Sequence, residues 1–128
     1  MKRIPRLAFL FLLTVAATAS AAPRCTIHPK KGATREELGA MAKVTQADAQ
    51  KSALATLKDP SKATVKEAEL EAEHGCLVYS FDIEVAGKTG VQEVQIDAGD
   101  GKVLSSKHEG PKAEAAEKAK DKARAPKN

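Results

Sequence analysis

Large aromatic side chains are nearly absent: the 128-residue chain has no tryptophan, one tyrosine and three phenylalanines, and Phe9 and Phe11 fall in an amino-terminal apolar run. Past that run only Tyr79 and Phe81 remain, so the core is expected to be small and mostly aliphatic. Long apolar runs are missing too. The stretch from Leu7 to Ala17 falls short of the roughly 18 consecutive apolar residues of a membrane span and is followed by Pro23-Arg24, which argues against a stable span. The length excludes a multi-domain enzyme, since roughly 100 to 200 residues make one domain. No G-x-S-x-G, H-E-x-x-H, P-loop or paired C-x-x-C occurs, so no catalytic residue is assigned and no enzymatic activity is expected. A strong excess of positive charge is lacking as well. The net charge of +4 includes Lys2, Arg3 and Arg6, and residues 22–106 hold eleven cations against thirteen anions. With both remaining aromatics on the predicted core face, nucleic-acid binding has neither a basic groove nor stacking platforms to use.

What is present first is an export signal over residues 1–21: a basic start, the apolar run, and Ala19-Ser20-Ala21 as a cleavage site. It predicts a mature chain beginning at Ala22, in the periplasm or secreted. Such a compartment is oxidising, and the mature chain has two cysteines, Cys25 and Cys76, with no third to compete. One disulfide is the economical reading. It would close a loop of about fifty residues and remove denatured-state entropy worth roughly 4 kcal/mol. Cys25-x-x-His28 with His74-x-Cys76 formally offers four soft metal ligands, but the spacing is not that of a paired-cysteine zinc knuckle, and oxidation removes both thiolates. No metal or cofactor is therefore expected.

Residues 22–37 carry Pro23, Pro29 and Gly32 without periodicity and read as a strap anchored by Cys25. Thr34 with Glu37 makes a capping box at the start of a short helix that Gly39 weakens. Thr45 with Asp48 starts another, whose stripe of Ala49, Ala53, Leu54 and Leu57 needs a surface to lie on. The surface is a sheet. From Leu77 to Ala86, Leu77, Tyr79, Phe81, Ile83 and Val85 alternate with polar or smaller residues, the period of a half-buried strand. Ala63 to Glu73 is read as its neighbour, joined through Glu73-His74-Gly75-Cys76. Gly87 to Gly90 turns into a third strand, Val91 to Ala98, and Gly99-Asp100-Gly101 turns again into Val103-Leu104. The expected fold class is α+β, with helices on one face of an antiparallel sheet of three to four strands. Residues 107–128, rich in Ala, Lys and Glu, are expected to form a flexible, basic tail that does not pack on the core.

Two surface features stand out. Glu67, Glu69, Glu71 and Glu73, followed by His74, line one face of the first strand and read as a solvated face, with a cation or small-ligand surface as the alternative. Asp97-Ala98-Gly99-Asp100-Gly101 has the look of a calcium loop but lacks its terminal glutamate, and is read as a hairpin turn.

Four blocks, Val44-Thr-Gln-Ala-Asp-Ala-Gln-Lys-Ser-Ala-Leu, Val65-Lys-Glu-Ala-Glu-Leu-Glu-Ala-Glu-His-Gly, Val78-Tyr-Ser-Phe-Asp-Ile-Glu-Val and Glu93-Val-Gln-Ile-Asp-Ala-Gly-Asp-Gly-Lys-Val, together resemble the PepSY domain over residues 38–106. The chain departs from the family pattern at Gly99-Asp100-Gly101 and in its cysteine pair. The resemblance implies an α+β fold, no recognised active site, and a role in restraining peptidases, because similar modules occur in propeptides of secreted metallopeptidases. The leading expectation is a monomeric, non-catalytic exported module that binds a protein partner, a peptidase among the candidates, through an exposed strand edge. The central strand already has two neighbours, so the contact falls to the first or the third strand. The third, with Val91, Glu93, Gln95 and Asp97, is preferred because the first strand's glutamates would repel an acidic partner.

Overall fold

The computed structural model describes residues 24–124; the expected signal sequence and its cleavage at Ala21 lie outside them. Two short helices come first, α1 (Arg35–Met41) and α2 (Gln46–Leu54). Each begins as its cap dictates. The Thr34 hydroxyl accepts from the Glu37 N–H while the Glu37 carboxylate accepts from the Thr34 N–H, and the Thr45 hydroxyl accepts from the Asp48 N–H. After a single 3-10 turn at Pro60–Lys62 the chain enters four strands: β1 (Ala63–Glu73), β2 (Cys76–Val85), β3 (Val91–Asp97) and β4 (Val103–Glu109). They form one antiparallel sheet in the order β1-β2-β3-β4. A final helix, α3 (Pro111–Arg124), follows.

Residues 63–73, whose Ala and Glu content by itself favours helix, are a strand because the turn after them fixes the pairing. His74 and Gly75 both have positive φ, 49° and 79°, as a two-residue hairpin turn of the primed type requires. Register then runs from Glu73↔Cys76 to Ala63↔Val85, broken once by a bulge at Lys66. Period two in β2 turns Leu77, Tyr79, Phe81 and Ile83 to one face, where Val94 and Ile96 of β3 stand beside them. Leu38 of α1, Ala49 and Ala53 of α2, and Ile27 of the strap close over that face. The Tyr79 hydroxyl donates to the Val44 carbonyl at 2.8 Å, and the Lys43 and Val44 N–H groups donate to the Ala98 carbonyl, which fixes the α1–α2 junction to the end of β3.

The strap is fastened at the strand ends. Cys25 and Cys76 form a disulfide with Cα atoms 5.8 Å apart, and the Leu77 N–H donates to the Ile27 carbonyl. With both sulfurs bonded to each other, the zinc-like grouping with His28 and His74 has lost its thiolates. His28 Nδ1 lies 3.0 Å from the Gly75 carbonyl instead, and His74 sits on the exposed turn.

Two expectations meet a different arrangement in the structure. Past residue 106, β4 runs to Glu109 and residues 111–124 are helical. The Ala, Lys and Glu content that argued against a core also favours helix, with Pro111 in the first turn and a Glu114–Lys118 pair one turn apart. As a result β3 has a neighbour on each side. Gln95 pairs with Ser80 of β2 and Ser105 of β4, so Val91, Glu93, Gln95 and Asp97 do not form a free edge.

Candidate functional site

Opposite the helix-covered face, the sheet presents carboxylates. The register sets Glu67, Asp82 and Glu93 in one row across β1, β2 and β3, with Lys107 of β4 at its end, and Glu69, Ser80, Gln95 and Ser105 in the next. Glu71 and Glu73 continue the acidic column of β1, and Glu109 stands opposite Val91. Alternation places all of them on the side away from α1 and α2.

α3 lies across this face with its own acids inward. Glu114, Glu117, Lys118 and Asp121, at helical spacing, line a narrow cleft with the strand carboxylates, enclosing about 40 Å³ of water-sized space. Lys118 bridges helix and sheet, its Nζ 2.9 Å from Glu114 and 3.3 Å from Glu67. Glu93 is held at the cleft floor by Gln95, whose amide donates to it at 2.9 Å and also to Glu73.

Such crowding shows in the acidities. Burial, reinforced by the charges of Glu73, Asp121 and Glu69, pushes Glu71 up to about 7. Burial and then Glu117, Glu109 and Glu73 push Glu93 higher, to about 8, and burial with the neighbouring Glu117 also raises Glu109. Asp82 is raised by burial and by Glu67. Lys118 is held charged by its bonds to Glu114 and Glu67. One oxygen from each of Glu93, Glu109 and Glu117 lies within 4.8 Å of the others, a separation at which three carboxylates can gather round a hard cation.

The sequence-derived acidic set is thus brought together, but under a helix and not in open solvent. Glu67 and Glu69 are exposed, Glu71 and Glu73 half-buried, and His74 lies at the rim with Nδ1 3.4 Å from Glu73. Val91 and Glu93 are buried on this same face. Asp97 is fully buried and spends its carboxylate on internal hydrogen bonds to Thr26, Gly99 and Asp100, so it is withdrawn from any surface. Residues not singled out in the sequence include Asp82, Glu109, Glu114, Glu117, Lys118 and Asp121. The last four carry one usable signal, their spacing along a helix-forming stretch, which a reading of the tail as helix would expose.

A second feature is the outer edge of β1. Glu73 and Cys76 flank a two-residue turn, so Glu73 bonds toward β2 and direction alternates from there. The bonds of Leu77 agree: its N–H and C=O go to Ile27 and Ala98, away from β1. The backbone groups of Ala72, Leu70 and Ala68 therefore point out from the sheet, and among the described residues no strand pairs with them.

No described helix is long and apolar enough to cross a membrane. Neither a curated protein nor a solved structure matches the chain significantly. A family model does match, that of PepSY, described as the peptidase propeptide and YPEB domain, and it covers residues 43–107, from the turn before α2 into β4. With half of its length matched by that model and the α+β architecture in place, the chain belongs to the PepSY family.

Proposed function

We propose that the chain is an exported, non-catalytic module that binds an extended segment of a protein partner along the outer edge of β1, with a peptidase as the partner class. Family membership supports the class, since its description joins it to peptidase propeptides. The observation that carries the mode of binding is β1 itself, eleven residues long and, among the described residues, paired on one side only. An added strand would complete hydrogen bonds at Ala68, Leu70 and Ala72. Its side chains would meet two chemistries in alternation: half-buried Leu70 and Ala68 on the helix face, and Glu67, Glu69, Glu71 and Glu73 on the other. The matching partner segment alternates apolar with basic residues. β4, the other edge, is shorter and bulged at Leu104.

The test is capture from an envelope extract by the full mature protein and by Ala68→Pro, which removes an outward-pointing N–H while leaving the β1–β2 bonds in place. The expected result is a stoichiometric partner with peptidase activity, altered on binding, that the variant fails to retain. Undiminished capture by a variant with a native circular dichroism spectrum would exclude this edge.

The convergence of Glu93, Glu109 and Glu117 favours a second reading, binding of a divalent cation on the acidic face. Its check is a calcium titration by calorimetry, in which a saturable heat abolished by Glu117→Gln supports it and an absence of heat removes it.

A further inference from the structure

The clasp of the strap holds a third ligand-bearing group beside its two sulfurs. His28 Nδ1 stands 3.7 Å from Cys25 Sγ, and the three atoms lie within 4.8 Å of one another. Zinc bonds thiolate at about 2.3 Å and imidazole at about 2.0 to 2.1 Å in a tetrahedron, which sets ligand atoms roughly 3.6 to 3.8 Å apart. The separation of Cys25 sulfur and His28 nitrogen already falls there. With the Cα atoms 5.8 Å apart, rotation of the two cysteine side chains suffices to spread the sulfurs once the bond between them is open.

The frame around these groups does not depend on the disulfide. Between Cys25 and His28, the Thr26 N–H and hydroxyl donate to the buried Asp97 carboxylate, and the Ile27 carbonyl accepts from the Leu77 N–H. Ile27 is itself part of the core. Cys76 opens β2 in register with Glu73. A reduced clasp therefore keeps its ligands on pinned backbone. His74, by contrast, reaches toward Glu73 from the exposed turn and is not one of the converging groups.

The geometry points to a metal site that exists only while the clasp is reduced: Cys25, Cys76 and His28 bind a thiophilic dication of the zinc type, with a fourth position left to water. His28 is exposed and Cys76 half-buried, so the ion can enter from solvent. Two thiolates cancel the charge of a dication, which suits a clasp whose Cys25 is buried. The thiols are those of a chain whose disulfide has not yet closed. A dithiol reductant regenerates them, passing two electrons and two protons to the protein and becoming a cyclic disulfide. The metal then displaces one proton from each thiol. The His28 proton that faces the Gly75 carbonyl is exchanged through solvent for one on Nε2, which frees Nδ1 to bind. Removal of two electrons from the thiolates re-forms the disulfide and releases the ion. Metal and disulfide thus exclude each other, and either one fastens the strap.

Cobalt(II) titration under argon tests this on the full mature protein, reduced by a phosphine that takes oxygen from water as it yields the two thiols. The readout is the thiolate-to-cobalt charge-transfer absorption, which carboxylates such as Glu93, Glu109 and Glu117 do not produce. One equivalent should saturate the band and one of zinc should abolish it, while the oxidised protein should show none. His28→Ala should weaken binding by about tenfold or more, and His74→Ala should leave it unchanged. Where the reduced chain loses its fold, added zinc should restore the native circular dichroism spectrum. Absence of the band in the reduced protein would overturn the site, as would zinc that fails to restore a lost fold. Wild-type affinity in His28→Ala, or loss of the ion in His74→Ala, would overturn it equally.

Discussion

Thr26 and Asp97, 71 residues apart in the chain, are joined twice: the Thr26 N–H donates to Asp97 Oδ2 at 2.6 Å and the Thr26 hydroxyl to Oδ1 at 2.7 Å. The same carboxylate accepts from the N–H groups of Gly99, at 2.6 Å, and Asp100. One buried side chain thus ties the strap to the end of β3 and shapes the β3–β4 turn. Burial alone would raise its pKa, but the bonds from Thr26, Gly99 and Asp100 outweigh it and hold Asp97 below the usual carboxylate range.

Asp97→Ala is expected to lower stability by about 2 to 3 kcal/mol, because it strands donors that lie away from water. Chemical denaturation measures it. The pH dependence has a definite sign: with the folded value depressed, the contribution is whole above the unfolded value of about 4 and disappears as pH falls through the folded one. Below pH 4 the wild type should therefore lose stability more steeply than Asp97→Asn.

The disulfide joins residues 51 apart. Replacing both cysteines, Cys25→Ser with Cys76→Ser, should cost about 4 kcal/mol by the loop-closure relation. Intact mass before and after reduction checks the bond, and thermal unfolding checks the cost.

Phe81 is fully buried and stacks on Tyr79 with ring centroids 6.4 Å apart. Phe81→Ala should destabilise by about 3 to 5 kcal/mol. Its neighbour Asp82 points to the other face and is already disfavoured as a charge by burial and Glu67. Asp82→Ala should change stability by no more than about 0.5 kcal/mol, and equal melting temperatures for the two variants would reverse the face assignment.

Two glycines should respond in opposite directions. Gly39, inside α1, has nothing within 4 Å of where a Cβ would stand, and Gly39→Ala should stabilise by up to about 1 kcal/mol. Gly90 has φ +77° and faces the Glu109 backbone so closely that a Cβ would collide with it. Gly90→Ala should therefore destabilise the β3–β4 pair, seen as faster amide exchange in β4.

The features legible in the sequence are those with local causes. Thr34 and Thr45 mark helix starts because their cap partners lie three residues away, and β2 declares its inward face through alternation. The pairing of Cys25 with Cys76 needs only a count. Asp97 is misplaced as a surface residue because the alternation of β3 says which way it points but not that Thr26 waits there, and no local pattern signals a partner so distant. The edge status of β3 fails for another reason. It depends on β4, whose Val-Leu-Ser-Ser-Lys-His-Glu has neither clear alternation nor large apolar residues beyond its first two positions, so it is strand by virtue of the neighbour it pairs with. The cleft is illegible for the same cause, since half of it belongs to α3.

The strand order β1-β2-β3-β4 follows the chain, and that bears on how the molecule assembles. Each strand finds its neighbour across a short turn, so the sheet can close hairpin by hairpin without waiting for distant segments to meet, the topology of a comparatively fast folder. Longer journeys remain for the strap, to Cys76 and Asp97, and for the α1–α2 junction, to Ala98. On that order the strap is fastened after the hairpins form, and closure of the disulfide is expected to follow the sheet.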